Sequence, residues 1–164
     1  MRRRAAPGRR WARPRIKGTG KRFRVNMISA ISNAGRLRFR LFTGSFSSRV
    51  IIDFLGRLLR DCGGRKVHLI VDGHPVHRAK LVSAWVGRHA DQIELHFLPG
   101  YSPELNPVEL LNHDVKANAA GRRRPRSEGE LRAELHGYLR WRQRHPNVLV
   151  RFFDYPTTRY AAAS

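Results

Sequence analysis

The chain has 164 residues, the size of one domain, and its 41% hydrophobic content suffices for a core, which excludes wholesale disorder. Thirty-three Lys and Arg against 12 Asp and Glu leave a formal charge of +21, which excludes an ordinary small-metabolite enzyme unless the charge is local and points to a polyanion, nucleic acid first. A single cysteine, Cys62, excludes an internal disulfide framework and a Cys-rich zinc site, and no apolar run approaches the length of about 18 residues that a membrane span needs. Arg2-Arg3-Arg4 is followed by no apolar stretch of the secretory kind. The expectation is a soluble, cytoplasmic, nucleoid-associated protein with no membrane partner.

In chain order, residues 1–23 read as a basic arm with little order of its own. Eleven bases fall within residues 1–24, and the first carboxylate of the chain is Asp53. Such a stretch repels itself and buries little, so it is either a solvated tail or a counterion-releasing contact with phosphates. Residues 24–120 carry the signs of a folded unit. Arg24–Ser32 and Leu37–Phe42 alternate around Asn33-Ala34-Gly35 and predict a β-hairpin. Ser47-Ser48 can cap a helix in which Val50, Ile51, Phe54, Leu55, Leu58 and Leu59 share one face, and Gly63-Gly64 ends it. Val67–Val71 is a nearly continuous apolar run and predicts a strand covered on both faces. A helix over His77–His89 and a strand over Ile93–Leu98 follow, then a proline-stiffened loop from Pro99 to Pro103. Asn106 and Pro107 are a cap and a first helical residue.

Residues 121–164 form a basic C-terminal part. Ser127 with Glu130 makes a capping-box pattern for a helix reaching Arg144, and Val148–Phe153 reads as a last strand or extended tail. Arg122, Arg123, Arg124 and Arg126, with Lys116 before them, are the candidate DNA contacts, because no acid is interleaved in the run 122–126. The arginines at 140, 142 and 144 lie among Glu128, Glu130 and Glu134 and read in part as a solvated helix face. Phe39, Phe42, Phe46, Trp85, Phe97, Trp141 and Phe152 fall mostly on apolar faces and read as core. The order of elements is that of an α/β fold with a mixed sheet and flanking helices.

Two carboxylates stand where chemistry collects. Asp72 ends the apolar strand, and ligand groups in open α/β sheets gather at the carboxyl ends of strands. Glu109 lies in the first turn of the helix opened by Asn106-Pro107, a position the helix dipole favours for any acid. Each alone has a bland reading, as a capping aspartate and as a dipole partner. Together, with a rigid loop between them, they suit a metal pair for phosphoryl transfer, and oxygen ligands suit Mg²⁺. Asp114 sits about 140° around the helix from Glu109 and cannot easily share its site. Asp72, His74 and His77, with His113, are a rival mononuclear metal set, although Pro75 interrupts them and the helical His-Glu-x-x-His spacing is missing.

Val71-Asp72-Gly73-His74-Pro75-Val76-His77 and the string Leu98-Pro99-Gly100-Tyr101-Ser102-Pro103-Glu104-Leu105-Asn106-Pro107-Val108-Glu109 resemble the DDE transposases of the mariner and insertion-sequence-630 type. The resemblance covers about residues 11 to 145. It implies an RNase H-like catalytic domain in which Asp72 is the second acid and Glu109 the third, with 36 residues between them. It also implies two Mg²⁺ or Mn²⁺ ions, DNA partners (transposon ends and target), phosphodiester hydrolysis, and strand transfer.

Two departures qualify that reading. The family's first Asp, on a central strand upstream of a segment matched by Trp11-Ala12-Arg13-Pro14, has no counterpart, and Asn112 replaces a tryptophan that follows the final Glu. The expectation is an N-terminally truncated transposase fragment, inactive alone, whose partner is an upstream transposase segment or a second copy. The alternative is a non-catalytic basic DNA-binding remnant.

Overall fold

The protein is described by a computed structural model over residues 23–100, 102–119 and 125–162. Most of the basic arm, including Trp11–Pro14, and the bases Arg122, Arg123 and Arg124 lie outside these residues.

The hairpin forms as the alternation predicts. β1 (Asn26–Ile31) pairs antiparallel with β2 (Leu37–Phe42), from Asn26 opposite Phe42 to Ile31 opposite Leu37. Its turn is closed by Gly35 N–H donating to Ser32 O and Ser32 N–H to Arg36 O. Gly35 has a φ of 76°, and a Cβ there would lie 2.7 Å from the Pro146 side chain, so the turn needs glycine twice over.

α1 (Ser48–Asp61) buries Ile51, Phe54, Leu55 and Leu58, the face that its apolar spacing marks. Ser47 stands at its N-cap, but its hydroxyl makes no capping bond. β3 (Val67–Val71) pairs in parallel with β4 (Ile93–Phe97), Val67 opposite Ile93 through Val71 opposite Phe97. The expected continuous helix over 77–89 is instead a 3₁₀ turn, Pro75–Arg78, and a separate α2 (Lys80–Arg88). The break falls at Ala79, whose ψ of 141° is extended, after a turn opened by Pro75. Leu81 of α2 is exposed, while Val82 beside it is fully buried.

α3 (Pro107–Asn118) starts as read, with Asn106 Oδ1 accepting the Val108 N–H. α4 (Glu128–Arg144) is capped by Ser127 Oγ, which accepts the Glu130 N–H, while the Glu130 carboxylate takes the Arg126 N–H. The C-terminal expectation fails: Asn147–Arg151 is a short helix, α5, not a strand. Pro146 holds φ at −69°, next to the helical range, and Leu149 is wholly buried. A short apolar run cannot by periodicity alone be told from a helix turn.

Two cores result. Leu37 and Leu41 of the hairpin pack with Leu111 and Val115 of α3, Leu131, Leu135 and Leu139 of α4, and Leu149 of α5. A second core joins Ile51 and Leu55 of α1 with Val76, Val82 and Ile93, against partly buried Val67, Leu69 and Leu95. β3 is therefore covered on one face only, since His68 on the other is exposed. The mixed α/β arrangement comprises two strand pairs, one antiparallel and one parallel, not bonded to each other among the described residues. Between them runs a groove of about 1170 Å³, lined along its length by β1 and by β3.

Candidate active site

Asp72 follows the last residue of β3, so its side chain emerges at the strand's carboxyl end, on the groove. Its Oδ1 accepts the His74 N–H at 3.0 Å and lies 3.2 Å from His77 Nε2. Burial raises the carboxyl's pKa, but the hydrogen bonds from His77 and the His74 backbone, with the charges of both histidines, outweigh it. The net shift is downward from the usual carboxylate value of 3.8, so the ionised form is favoured. The ring of His74 is engaged at Nδ1 by the Val76 N–H, and Phe46 packs edge-on against both imidazoles. His77 Nδ1 is buried with no hydrogen-bond partner. With His74 turned to the backbone and His113 exposed, the rival mononuclear set of Asp72, His74, His77 and His113 does not converge.

Glu109 is brought to the same groove by the first turn of α3. Its Oε1 accepts from Asn112 Nδ2 at 3.3 Å, one helical turn on. Asn112, which the sequence marks only as the replacement of a tryptophan, thus orients the carboxylate. An amide at i+3 from an acid on a helix was the available signal.

The remaining acids near this region are held in ion pairs, among them Asp61, which also lines the groove. Asp114 takes a two-pronged ion pair from Arg142, at 2.7 Å to Nε and 2.5 Å to Nη2, and accepts from Tyr138 and Asn118. Burial, and then the hydrogen bond to Asp114 and its charge, push the Tyr138 phenol up to about 12. Asp53 pairs with Arg40 and Arg57, and Asp61 with Arg38. Among the described residues, the groove thus receives Asp72 and Glu109 from the sequence candidates. Both offer hard oxygen donors, which fit a divalent ion of the Mg²⁺ class.

Of the basic candidates, Arg126 is exposed just before α4 and Lys116 is half-buried in the last turn of α3. Arg122, Arg123 and Arg124 lie outside the described residues. A concavity of about 640 Å³ between β2 and α4, lined by Arg38, Arg40, Arg57, Arg132 and Arg140, escaped the sequence reading, because it joins positions far apart in the chain. Arg142 was read within a solvated face and is instead buried by Asp114. Two aromatics read as core are partly exposed, Phe97 under the Arg78 guanidinium and Trp141 beside that of Arg142.

The sequence profile described as DDE superfamily endonuclease matches residues 1–132. No curated protein matches the chain in sequence at a significant level. Among solved structures the chain is similar to the Mos1 transposase paired-end complex with left transposon end, with a TM-score of 0.62 at 14% identity over 93% of this chain and 48% of that one. It is similar also to the Mos1 transposase catalytic domain with Raltegravir and Mg (0.60, 15% identity, 85% of this chain and 76% of that one). A third is the Mos1 mariner paired-end complex with Mn (0.59, 18%, 92% and 45%). The chain thus spans about half of the first of these proteins, and the shared fold is the RNase H-like one.

Proposed function

The chain belongs to the DDE superfamily endonucleases, and from that premise we propose that it serves DNA transposition, hydrolysing the phosphodiester at transposon ends and joining the freed 3′-hydroxyl to target DNA. The observation that supports this reading is that Asp72 and Glu109 both line one groove. Asp72, kept ionised by His77 and the His74 backbone, and Glu109, steadied by Asn112, would hold Mg²⁺ or Mn²⁺. A pair of such ions supplies activation of the attacking oxygen and stabilisation of the leaving one. The chain's own residues hold the two carboxylates toward the groove and offer cations for the DNA backbone. Lys116, Arg122, Arg123, Arg124 and Arg126 are the proposed phosphate contacts, and the cytoplasm, in association with the nucleoid, is the proposed location.

Two carboxylates are short of a two-ion clamp. The groove itself supports a remedy, for it is bordered by β1 on one side and β3 on the other, and each has an edge unpaired among the described residues. A strand of five or six residues, about 17–20 Å long, matches their length. Residues 1–52 carry no acid, so the third carboxylate is proposed to come from a segment outside them, an upstream transposase segment or a part of a second copy. The chain by itself is then inactive.

Nicking of a duplex carrying the element's terminal repeat, with Mg²⁺ or Mn²⁺, tests this directly. The expected result is background cleavage by the chain alone, and metal-dependent cleavage when a separately made Asp-bearing strand segment is added. Cleavage by the chain alone that vanishes in Asp72→Ala and in Glu109→Ala would refute the need for a third acid. DNA binding should also weaken steeply with salt, and neutralising Arg122, Arg123, Arg124 and Arg126 should flatten that slope, by about 0.9 per lost phosphate contact on duplex DNA. An unchanged slope would remove those residues from the interface. Salt-dependent binding with no cleavage even after complementation favours the second reading, a non-catalytic DNA-binding remnant, for which the surplus of 33 bases over 12 acids is the specific support.

A further inference from the structure

The open face of the β3–β4 pair carries a side-chain cluster, His68 and His96 of which also line the groove, that the proposed chemistry does not use. The parallel register sets His68 opposite Glu94 and Ile70 opposite His96, so the alternation of both strands brings His68, Glu94 and His96 to one face. His68 Nδ1 and His96 Nε2 lie 3.1 Å apart. The Glu94 carboxylate lies 3.8 Å from the first nitrogen through Oε2 and 3.9 Å from the second through Oε1. With one oxygen taken from Glu94, the three ligand atoms lie within 4.8 Å of one another; a tetrahedral ion bound at about 2.0–2.1 Å sets its ligands roughly 3.3 Å apart, so these exposed side chains have at most about 1.5 Å to close. Among the described residues no other group of three or more His, Cys, Asp and Glu side chains gathers in this way.

We propose that His68, Glu94 and His96 form a binding site for a borderline divalent cation of the Zn²⁺ class, separate from the Asp72–Glu109 pair. Two imidazoles and one carboxylate prefer such ions to Mg²⁺, which takes oxygen ligands. The Glu94 carboxyl is held below its usual range first by the hydrogen bond and charge of Lys66, so the ligand is anionic when the ion arrives. Lys66 Nζ meets Oε2 at 3.2 Å and leaves Oε1, the oxygen nearer His96, for the ion. All three side chains are about half-exposed, which leaves the remaining coordination position to water. A cation there ties β3 to β4 on the face that no helix of the second core covers. The inference does not depend on the transposition reading.

The test uses the full chain without an affinity tag, stripped of metal and free of DNA, then held in excess Mg²⁺ to compete at the Asp72–Glu109 pair and titrated with Co²⁺ and afterwards with Zn²⁺. The expected result is one equivalent of Co²⁺ with the visible absorption of a low-coordinate nitrogen–oxygen site, displaced by Zn²⁺ and indifferent to millimolar Mg²⁺. His68→Ala and His96→Ala should each weaken binding by at least about tenfold, since even supporting residues around a metal have effects of that order. Asp72→Ala, Glu109→Ala and His77→Ala should leave it unchanged. The histidines are surface groups, and His68→Gln and His96→Gln, checked by circular dichroism, keep the comparison free of folding effects. Failure of the chain to bind millimolar Co²⁺, binding that survives His68→Ala with His96→Ala, or binding lost in His77→Ala would each overturn the proposal.

Discussion

The hairpin core and the β3–β4 core differ in what covers them. The first is closed: β1–β2, α3, α4 and α5 enclose leucines that are almost wholly inaccessible, and the Asp114–Arg142–Tyr138 cluster clamps α3 to α4. The second has α1 and α2 on one face, while its other face carries exposed His68, Glu94 and His96 and its edge borders the groove. The first core is thus the better enclosed, and the candidate chemistry lies between the two, with Glu109 on α3 of the first and Asp72 at the end of β3 in the second. A partly uncovered sheet with a free edge is a liability for an isolated chain, because it invites pairing with another strand. In this molecule that same edge leads to Asp72.

The largest effect that can test this division lies in the closed half. Arg142→Ala would leave Asp114 buried without its cation, and breaking one side of a buried pair costs about 3–5 kcal/mol. Against a typical total of about 5–15 kcal/mol, the urea midpoint should fall by a large fraction. A loss below about 1 kcal/mol would mean that the clamp is dispensable and that the two halves are held alike.

The two halves should also fail at opposite ends of the pH scale. Tyr138 has its pKa raised from 10.0 to about 12, so the neutral phenol is the form that folding favours. That contribution is whole below pH 10 and is lost as pH rises toward 12. Asp72 has its pKa lowered, so its contribution is whole above its unfolded value of about 3.8 and disappears as pH falls through the lower folded value. Tyr138→Phe should flatten the alkaline limb of the stability profile and leave the acid limb alone, and His77→Ala should do the reverse. Equilibrium unfolding across pH 2–12 measures both. An acid limb unchanged by His77→Ala would break the link between that imidazole and the Asp72 carboxylate.

Local patterns made the hairpin, α1, the caps of α3 and α4, and the places of Asp72 and Glu109 in the fold readable from sequence. Asp72 at a strand end and Glu109 behind Asn106-Pro107 are positions that neighbouring residues dictate. What escaped depends on partners distant in the chain. Arg142 looks solvated until Asp114, 28 residues earlier, is folded against it. The arginine concavity needs β2 and α4 side by side, and the His68–Glu94–His96 cluster needs the parallel register of β3 and β4. α5 was missed because Val148-Leu149-Val150 carries no period, and the core that swallows Leu149 decides for helix. The apolar run 67–71 reads as covered on both faces, but His68 interrupts it and marks the face that stays open.

The smallest effect concerns the polar link between the halves. Arg38 of β2 pairs with Asp61 at 2.6 Å, and Arg40 of β2 with Asp53, both acids lying on α1. These groups are roughly a third to a half exposed, so each pair contributes about 0.2–1 kcal/mol at most. Apolar contact also crosses this boundary, since Ile28 of β1 and Phe46 pack against the second core. The joint variant Arg38→Ala/Arg40→Ala should therefore lower stability by less than about 2 kcal/mol at low salt. In 1 M salt, where the screening length is about 3 Å, the loss should shrink further. The Arg142→Ala loss, arising from a pair closed to solvent, should barely move over the same range. Urea unfolding of both variants at low and high salt makes the measurement. A salt-independent loss in the joint variant as large as that of Arg142→Ala would mean that ion pairs hold α1 to the hairpin. The groove wall they support would then depend on charge as much as the closed core does.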